Sequence, residues 1–124
     1  MRTETIQYFS ETEDEFVSLL IDIGTKKNVA KLLVFLANVP VTSSRTIERG
    51  TDMRQPEVSI AMKYLMDRGW VTMKDDLPGH KGRPKKIYQL ALPITKIMDS
   101  IEEEKKSEVR DQLALIRKVQ DYIR

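Results

Sequence analysis

Apolar residues recur at three- and four-residue spacing over most of the chain and at two-residue spacing in one short region. The first helical stretch runs from Glu13 to Ile23 with Phe16, Leu19, Leu20 and Ile23 on one face. Thr12 stands at its N-cap with Glu15 in capping-box position, and Gly24 marks its end. A second helix, from about Lys26 to Asn38, has a broad face of Val29, Leu32, Leu33, Leu36 and Val39 and is closed by Pro40. Two shorter helices follow. One spans Ser44 to Gly50, capped by Ser43 or Ser44 and anchored by Ile47. After a Thr51-Asp52-Met53 connection, the other starts near Gln55, has Pro56 in its first turn, where a missing N–H costs nothing, and runs to Arg68 before Gly69. The period then changes to two. Trp70–Lys74 and Lys85–Leu90 read as strands around a turn region, Asp75 to Pro84, that holds Pro78, Gly79, Gly82 and Pro84. From Pro93 the helical pattern resumes to the C-terminus, opening with Ile94, Ile97, Met98 and Ile101.

Helix, helix, helix–turn–helix, β-hairpin, helix is the order of a winged helix-turn-helix. The expected fold is therefore mainly α with a small β-hairpin and a long C-terminal dimerisation helix. Residues 1–124 form a single winged-helix domain, with a core over 12–92, a wing at 70–91 and the C-terminal helix over 93–124.

The helix after Gln55 has two unlike sides. At 100° per residue Val58, Ala61, Met62 and Leu65 fall together and face a core, while Pro56, Ser59, Ile60 and Lys63 face away, flanked by Glu57 and Tyr64. Ser and Lys reach phosphates or base edges, and an outward Ile suits a thymine methyl group. Arg54 and Gln55 lie at the N-terminal end, where recognition helices approach bases; Gln matches adenine and Arg matches guanine. A solvated amphipathic helix has a similar pattern, and Glu57 repels phosphate, so this helix alone does not decide the matter.

Charge changes that picture. The net charge of +2 is unevenly spread. Residues 1–42 hold four Lys/Arg against six Asp/Glu, 43–90 hold ten against six, and 91–124 hold seven of each, so the positive excess lies beside the helix–turn–helix. Within it, His80-Lys81-Gly82-Arg83-Pro84-Lys85-Lys86 has four Lys/Arg and no acid. Like charges so crowded cannot pack into a core and repel one another unless an anion neutralises them. A basic protruding tip supplies charge for phosphates and, through Arg83, a side chain for the minor groove. His80, Lys81, Arg83, Lys85 and Lys86 are thus the expected wing contacts, with Ser43, Ser44 and Arg45 on the backbone side of the first helix of the pair.

The run Ser44-Arg45-Thr46-Ile47-Glu48-Arg49, and then Arg54-Gln55-Pro56-Glu57-Val58-Ser59 through Arg68-Gly69-Trp70-Val71, resembles the ArsR/MarR/TrmB-like winged-helix regulators, most of all the small archaeal ones. The stretch Lys81-Gly82-Arg83-Pro84-Lys85-Lys86-Ile87-Tyr88-Gln89-Leu90 is similar to their wing and second wing strand, and the likeness covers about residues 25–95. It implies a dimer that binds the major groove through Arg54, Gln55, Ser59 and Lys63, with wing contacts by Lys81, Arg83, Lys85 and Lys86. Metal-sensing members use Cys and His clusters, and with no Cys and one His this chain departs from them. It also has no room for the further effector domain of TrmB-like sugar sensors.

After the polar stretch Glu102–Glu108 in the last helix, Val109, Leu113, Ile116, Val119 and Ile123 form a narrow apolar stripe on a charged helix, the pattern of a coiled-coil seam. These five are the expected homodimer interface; the competing reading folds the helix back on its own domain. A two-fold dimer would set two recognition helices about 34–36 Å apart, matching a pseudo-palindromic operator.

Other function classes find little support. Without cysteine there is no disulfide, thiolate nucleophile or Cys-based metal site. No metal site, cofactor or catalytic constellation is expected, since His80 lies in a basic loop and Asp75 and Asp76 read as solvated turn residues. The N-terminus is acidic and has no apolar core, and the longest apolar run, around Leu32–Ala37, is far short of the roughly 20 residues of a membrane span, so a cytoplasmic, membrane-free protein is expected. The serious rival is a winged helix used as a protein–protein interaction module. Such modules lose the basic wing and carry acidic or apolar recognition helices. This chain keeps both basic features, which favours double-stranded DNA. The operator, the sign of regulation and any small-molecule effector are not legible in the sequence.

Overall fold

A computed structural model of the chain describes residues 10–76 and 85–124, with the side chains of Asp76 and Lys85 excluded. The order is α1 (Glu11–Asp22), α2 (Lys27–Asn38), β1 (Thr42–Ser43), α3 (Ser44–Thr51), α4 (Gln55–Asp67), β2 (Val71–Asp76), β3 (Lys85–Leu90) and α5 (Ile94–Ile123). The fold is a winged helix, mainly helical, with a small antiparallel sheet and a long C-terminal helix. The chain divides into two compact units, 1–92 and 93–124.

In the first unit α2 is the hub, packing against α1, α3, α4 and β3. Its buried set, Val29, Ala30 and Leu32 through Leu36, covers far more of the helix than the one face its periodicity predicts, because neighbours lie on several sides. Ile47 from α3 and Val58, Ala61, Met62 and Leu65 from α4 complete the core.

Several local expectations need correcting. The N-cap of α1 is Ser10, not Thr12. Glu13 N–H donates to Ser10 Oγ and Ser10 N–H donates to Glu13 Oε1, so the box with Glu13 replaces the overlapping one with Glu15. This choice lengthens the helix and sets Glu11, Glu13 and Asp14 at its positive end. On α1 the buried pair is Val17 and Leu20, while Leu19 and Ile23 are 56% and 46% exposed.

Gly50 does not end α3. The helix continues to Thr51, and Asp52 takes the left-handed conformation at φ 57°. Glycine at position 50 answers a different need: a Cβ built there would lie 2.1 Å from Phe35 Cε1. Thr51 is buried, and its hydroxyl donates to Ile47 O at 2.6 Å.

The wing sheet has three strands in the order β1-β3-β2. The two-residue β1, too short to leave a periodic signal, pairs with β3 through Thr42–Tyr88 and Ser43–Ile87. Asp75 and Asp76 are not turn residues; they extend β2 opposite Lys86 and Lys85, and Asp75 opposite Lys86 sets unlike charges on facing strands, a favourable pairing. Trp70 precedes β2 and is buried, its N–H donating to Leu65 O to close the end of α4.

The second unit is one unbroken helix. Ile97 and Ile101 are buried, and from Glu102 onward every residue but the half-buried Lys105 is exposed. Lys105–Glu108, Lys106–Glu102 and Lys106–Glu103 pairs run along the surface at 3.4, 3.4 and 3.7 Å, supporting the exposed helix weakly. Among the described residues no helix is long and apolar enough to cross a membrane.

Candidate nucleic-acid interface

α4 separates a core side from a bare side as its spacing predicts. Val58, Ala61, Met62 and Leu65 are buried, whereas Arg54, Gln55, Pro56, Ser59, Ile60 and Lys63 are all exposed. The helix opens with Pro56 in its first turn and with Glu57 Oε1 accepting from Arg54 N–H at 2.9 Å. Glu57 thus has a local structural task that offsets its unfavourable charge for phosphate. A guanidinium has no acceptor, so Arg54 cannot return the bond as Ser or Asp would.

Two side-chain pairs order the bare face. Gln55 Nε2 donates to Ser59 Oγ at 3.1 Å, and Lys63 Nζ meets Asp67 Oδ2 at 3.1 Å. Neither pair follows from the helical wheel, and the second changes the weight of Lys63, whose charge is shared with a carboxylate one turn away. Ile60, between these pairs along the helix, is 74% exposed.

At its far end α4 is tied to the wing. Gly69, at φ 78°, turns the chain into Trp70, and the Arg68 guanidinium lies 4.2 Å from the Trp70 ring centroid and 5.4 Å from that of Tyr64. The base of the hairpin closes through Ala91 N–H to Trp70 O at 2.7 Å. The end of α4 and the root of the hairpin therefore meet in one corner.

The first helix of the pair joins the wing on the other side. Ser43, Ser44, Arg45 and Thr46 share an open pocket of about 410 Å³ with Lys86 of β3. The pairing of β1 with β3 brings them together: Ser43 sits opposite Ile87, the neighbour of Lys86, and also caps α3 by accepting from Thr46 N–H. Ser43 is thus engaged as a cap, while Arg45 and Lys86 are exposed. His80, Lys81 and Arg83 lie outside the described residues, as does the Lys85 side chain.

Sequence reasoning missed a second groove of about 500 Å³, where Lys26, Lys27, Asn28 and Val29 at the start of α2 face Glu57, Ile60, Ala61 and Tyr64 of α4. Lys26 and Lys27 lie in the segment with net acidic charge, so the charge count hid them. Val109, Leu113, Ile116, Val119 and Ile123 are all exposed on α5, with Leu115 and Tyr122 beside them.

No protein-family model and no curated protein sequence matches this chain. Among solved structures it is similar to NadR in complex with 4-hydroxyphenylacetate, at TM-score 0.55 and 14% identity, over 99% of this chain and 97% of that one. It is also similar to NMB1585, a MarR family regulator from Neisseria meningitidis, at TM-score 0.49 and 16% identity, over 87% and 84% of the two chains. At 14% identity the likeness to NadR extends to the fold alone, and the assignment of residues rests on the geometry above.

Proposed function

We propose that this protein is a cytosolic, sequence-specific regulator of transcription that binds double-stranded DNA as a homodimer. The α4 helix enters the major groove, and the wing, through His80, Lys81, Arg83, Lys85 and Lys86, grips the backbone and the minor groove. Ser43, Ser44 and Arg45 add backbone contacts. The observation that carries this reading is the bare outward face of α4, with Arg54, Gln55, Pro56, Ser59, Ile60 and Lys63 all exposed on a helix whose other face fills the core. A surface helix used only for packing has no need of an isoleucine held in water. The pocket that joins Lys86 to Ser43–Thr46 adds a cationic shoulder, with Arg45 and Lys86, between the first helix of the pair and the wing. Winged-helix fold, bare helix and basic hairpin together favour DNA over a protein partner.

The test is the salt dependence of binding to a labelled duplex. Arg83→Ala and Lys86→Ala are each expected to weaken binding on every sequence and to lower the slope of log affinity against log salt by about 0.9, one phosphate contact each. An unchanged slope in both variants would remove the wing from the interface.

A reciprocal effect is expected at Asp67. Asp67→Asn keeps the shape of the side chain but frees Lys63 from its carboxylate partner. Affinity should rise and the salt slope should steepen by up to about 0.9. If Lys63 does not face DNA, affinity gains only the small long-range effect of one lost carboxylate and the slope does not steepen.

A further inference from the structure

The outward face of α4 carries little net charge, and its polar groups are already arranged among themselves. Gln55 donates one amide proton to Ser59, while Lys63 is held by Asp67. A carboxamide fixed in this way keeps one N–H donor and its carbonyl oxygen. That donor–acceptor pair complements adenine, which offers the N7 acceptor and the N6 amino donor in the major groove. Guanine offers two acceptors there, N7 and O6, and needs two donors from one side chain. Gln55 has a single donor left, and its carbonyl would face O6 oxygen to oxygen.

Ile60 strengthens the same preference. It is the most exposed large apolar side chain among the described residues of the first unit. Pressed against a G·C pair it would strip water from the cytosine amino group or the guanine carbonyl and give no hydrogen bond in return. The apolar group in the groove is the thymine C5-methyl. Lys63, the cation on this face suited to guanine, is paired with Asp67. Arg54 stands ahead of the helix as its N-cap, on extended backbone at φ −85° and ψ 160°, outside the regular turns that carry Gln55 and Ile60. Gln55 and Ile60 are five residues apart, which is ~7.5 Å along the helix axis and about 140° around it, so the two side chains flank Ser59 and Lys63 and reach different base pairs.

We infer that Gln55, oriented by Ser59, and Ile60 make α4 a reader of A·T pairs, with Gln55 on adenine and Ile60 on the thymine methyl group of another pair in the same half-site. This inference rests on the major-groove reading proposed above and gives it a base preference.

The experiment selects bound duplexes from a random-sequence pool, then resynthesises the enriched duplex with uracil replacing each thymine in turn, which removes only the methyl group. Each half-site should contain A·T pairs at the two positions. One uracil substitution should weaken the wild type about fourfold, the worth of one buried methyl-sized group, and should have no effect on Ile60→Ala. Gln55→Ala should lose about 5- to 150-fold of discrimination at one adenine. Thermal melting of both variants should match the wild type, since both side chains are exposed. Enriched half-sites of G·C pairs, a flat uracil scan, or a uracil effect that persists in Ile60→Ala would overturn the base preference while leaving DNA binding in place. No enrichment of any sequence would overturn both the preference and the reading beneath it.

Discussion

Replacing Leu113 and Ile116 together by glutamate is expected to convert the protein from dimer to monomer and to weaken binding to a two-half-site duplex by about 100- to 10,000-fold. These side chains are 50% and 51% exposed, and they lie on a stripe with Val109, Val119 and Ile123. Such a stripe, on 30 residues of unbroken helix, asks for a partner helix of the same kind. In a symmetric pair each substitution appears twice, so four carboxylates would face one another in a seam that had excluded water. Burial of unpaired like charge is costly, and the pair separates. The helix itself should persist, because glutamate is a good helix former and the replaced side chains take no part in the core of the chain. Sedimentation would show half the mass with an unchanged helical spectrum, and binding to a single half-site should survive at the affinity of one module. A dimer that withstands both substitutions would place the interface elsewhere.

Gly50→Ala is expected to cost about 1–3 kcal/mol of stability, although helix propensity alone favours alanine. In an exposed helix interior the same change gains about 1 kcal/mol. Here the new Cβ would lie 2.1 Å from Phe35 Cε1 and 2.6 Å from Cζ. Phe35 is buried on α2, the helix at the centre of the unit, so its ring must move within packed surroundings to make room. Either α3 lifts from α2 or the ring leaves its rotamer, and each disturbs the packing that aims α4. The melting temperature should fall by about 4–8 °C per kcal/mol for a unit of this size. Gly50→Ala with Phe35→Leu should lose less than the sum of the two single changes, since the smaller side chain removes the clash. A neutral or stabilising Gly50→Ala would mean that α3 shifts freely on α2.

These two cases also show where the sequence is informative. The buried side of α4 follows from its spacing because that helix meets the core along one stripe; Val58, Ala61, Met62 and Leu65 are the positions buried. On α1 the spacing misleads, since Leu19 and Ile23 share a face on the helical wheel but lie in water, and Val17 is taken instead. Periodicity tells which residues share a side and not which of two apolar sides is covered. Glycine at position 50 reads as a helix stop, whereas its reason is the ring of Phe35, fifteen residues earlier in the chain and in contact only after folding.

At the interface the outward residues of α4 were legible from the same wheel. Their internal pairing was not, because Gln55–Ser59 and Lys63–Asp67 are choices among rotamers. The shoulder formed by Lys86 with Ser43–Thr46 depends on the pairing of a two-residue strand, a contact across more than forty residues that leaves no local pattern. The groove beside Lys26 and Lys27 was hidden for the same reason: α2 and α4 meet only in three dimensions.

The most direct measurement is selection from a pool of random-sequence duplexes at two salt concentrations, with sequencing of the bound fraction. Enrichment of a palindromic site whose half-sites are about one helical turn apart, with affinity falling steeply between about 50 and 200 mM salt, is the result expected of a dimer that sets α4 in two successive major grooves. Absence of binding even at the lower salt would contradict it, leaving the outward face of α4 as a surface for another protein and the basic hairpin as a solvated loop.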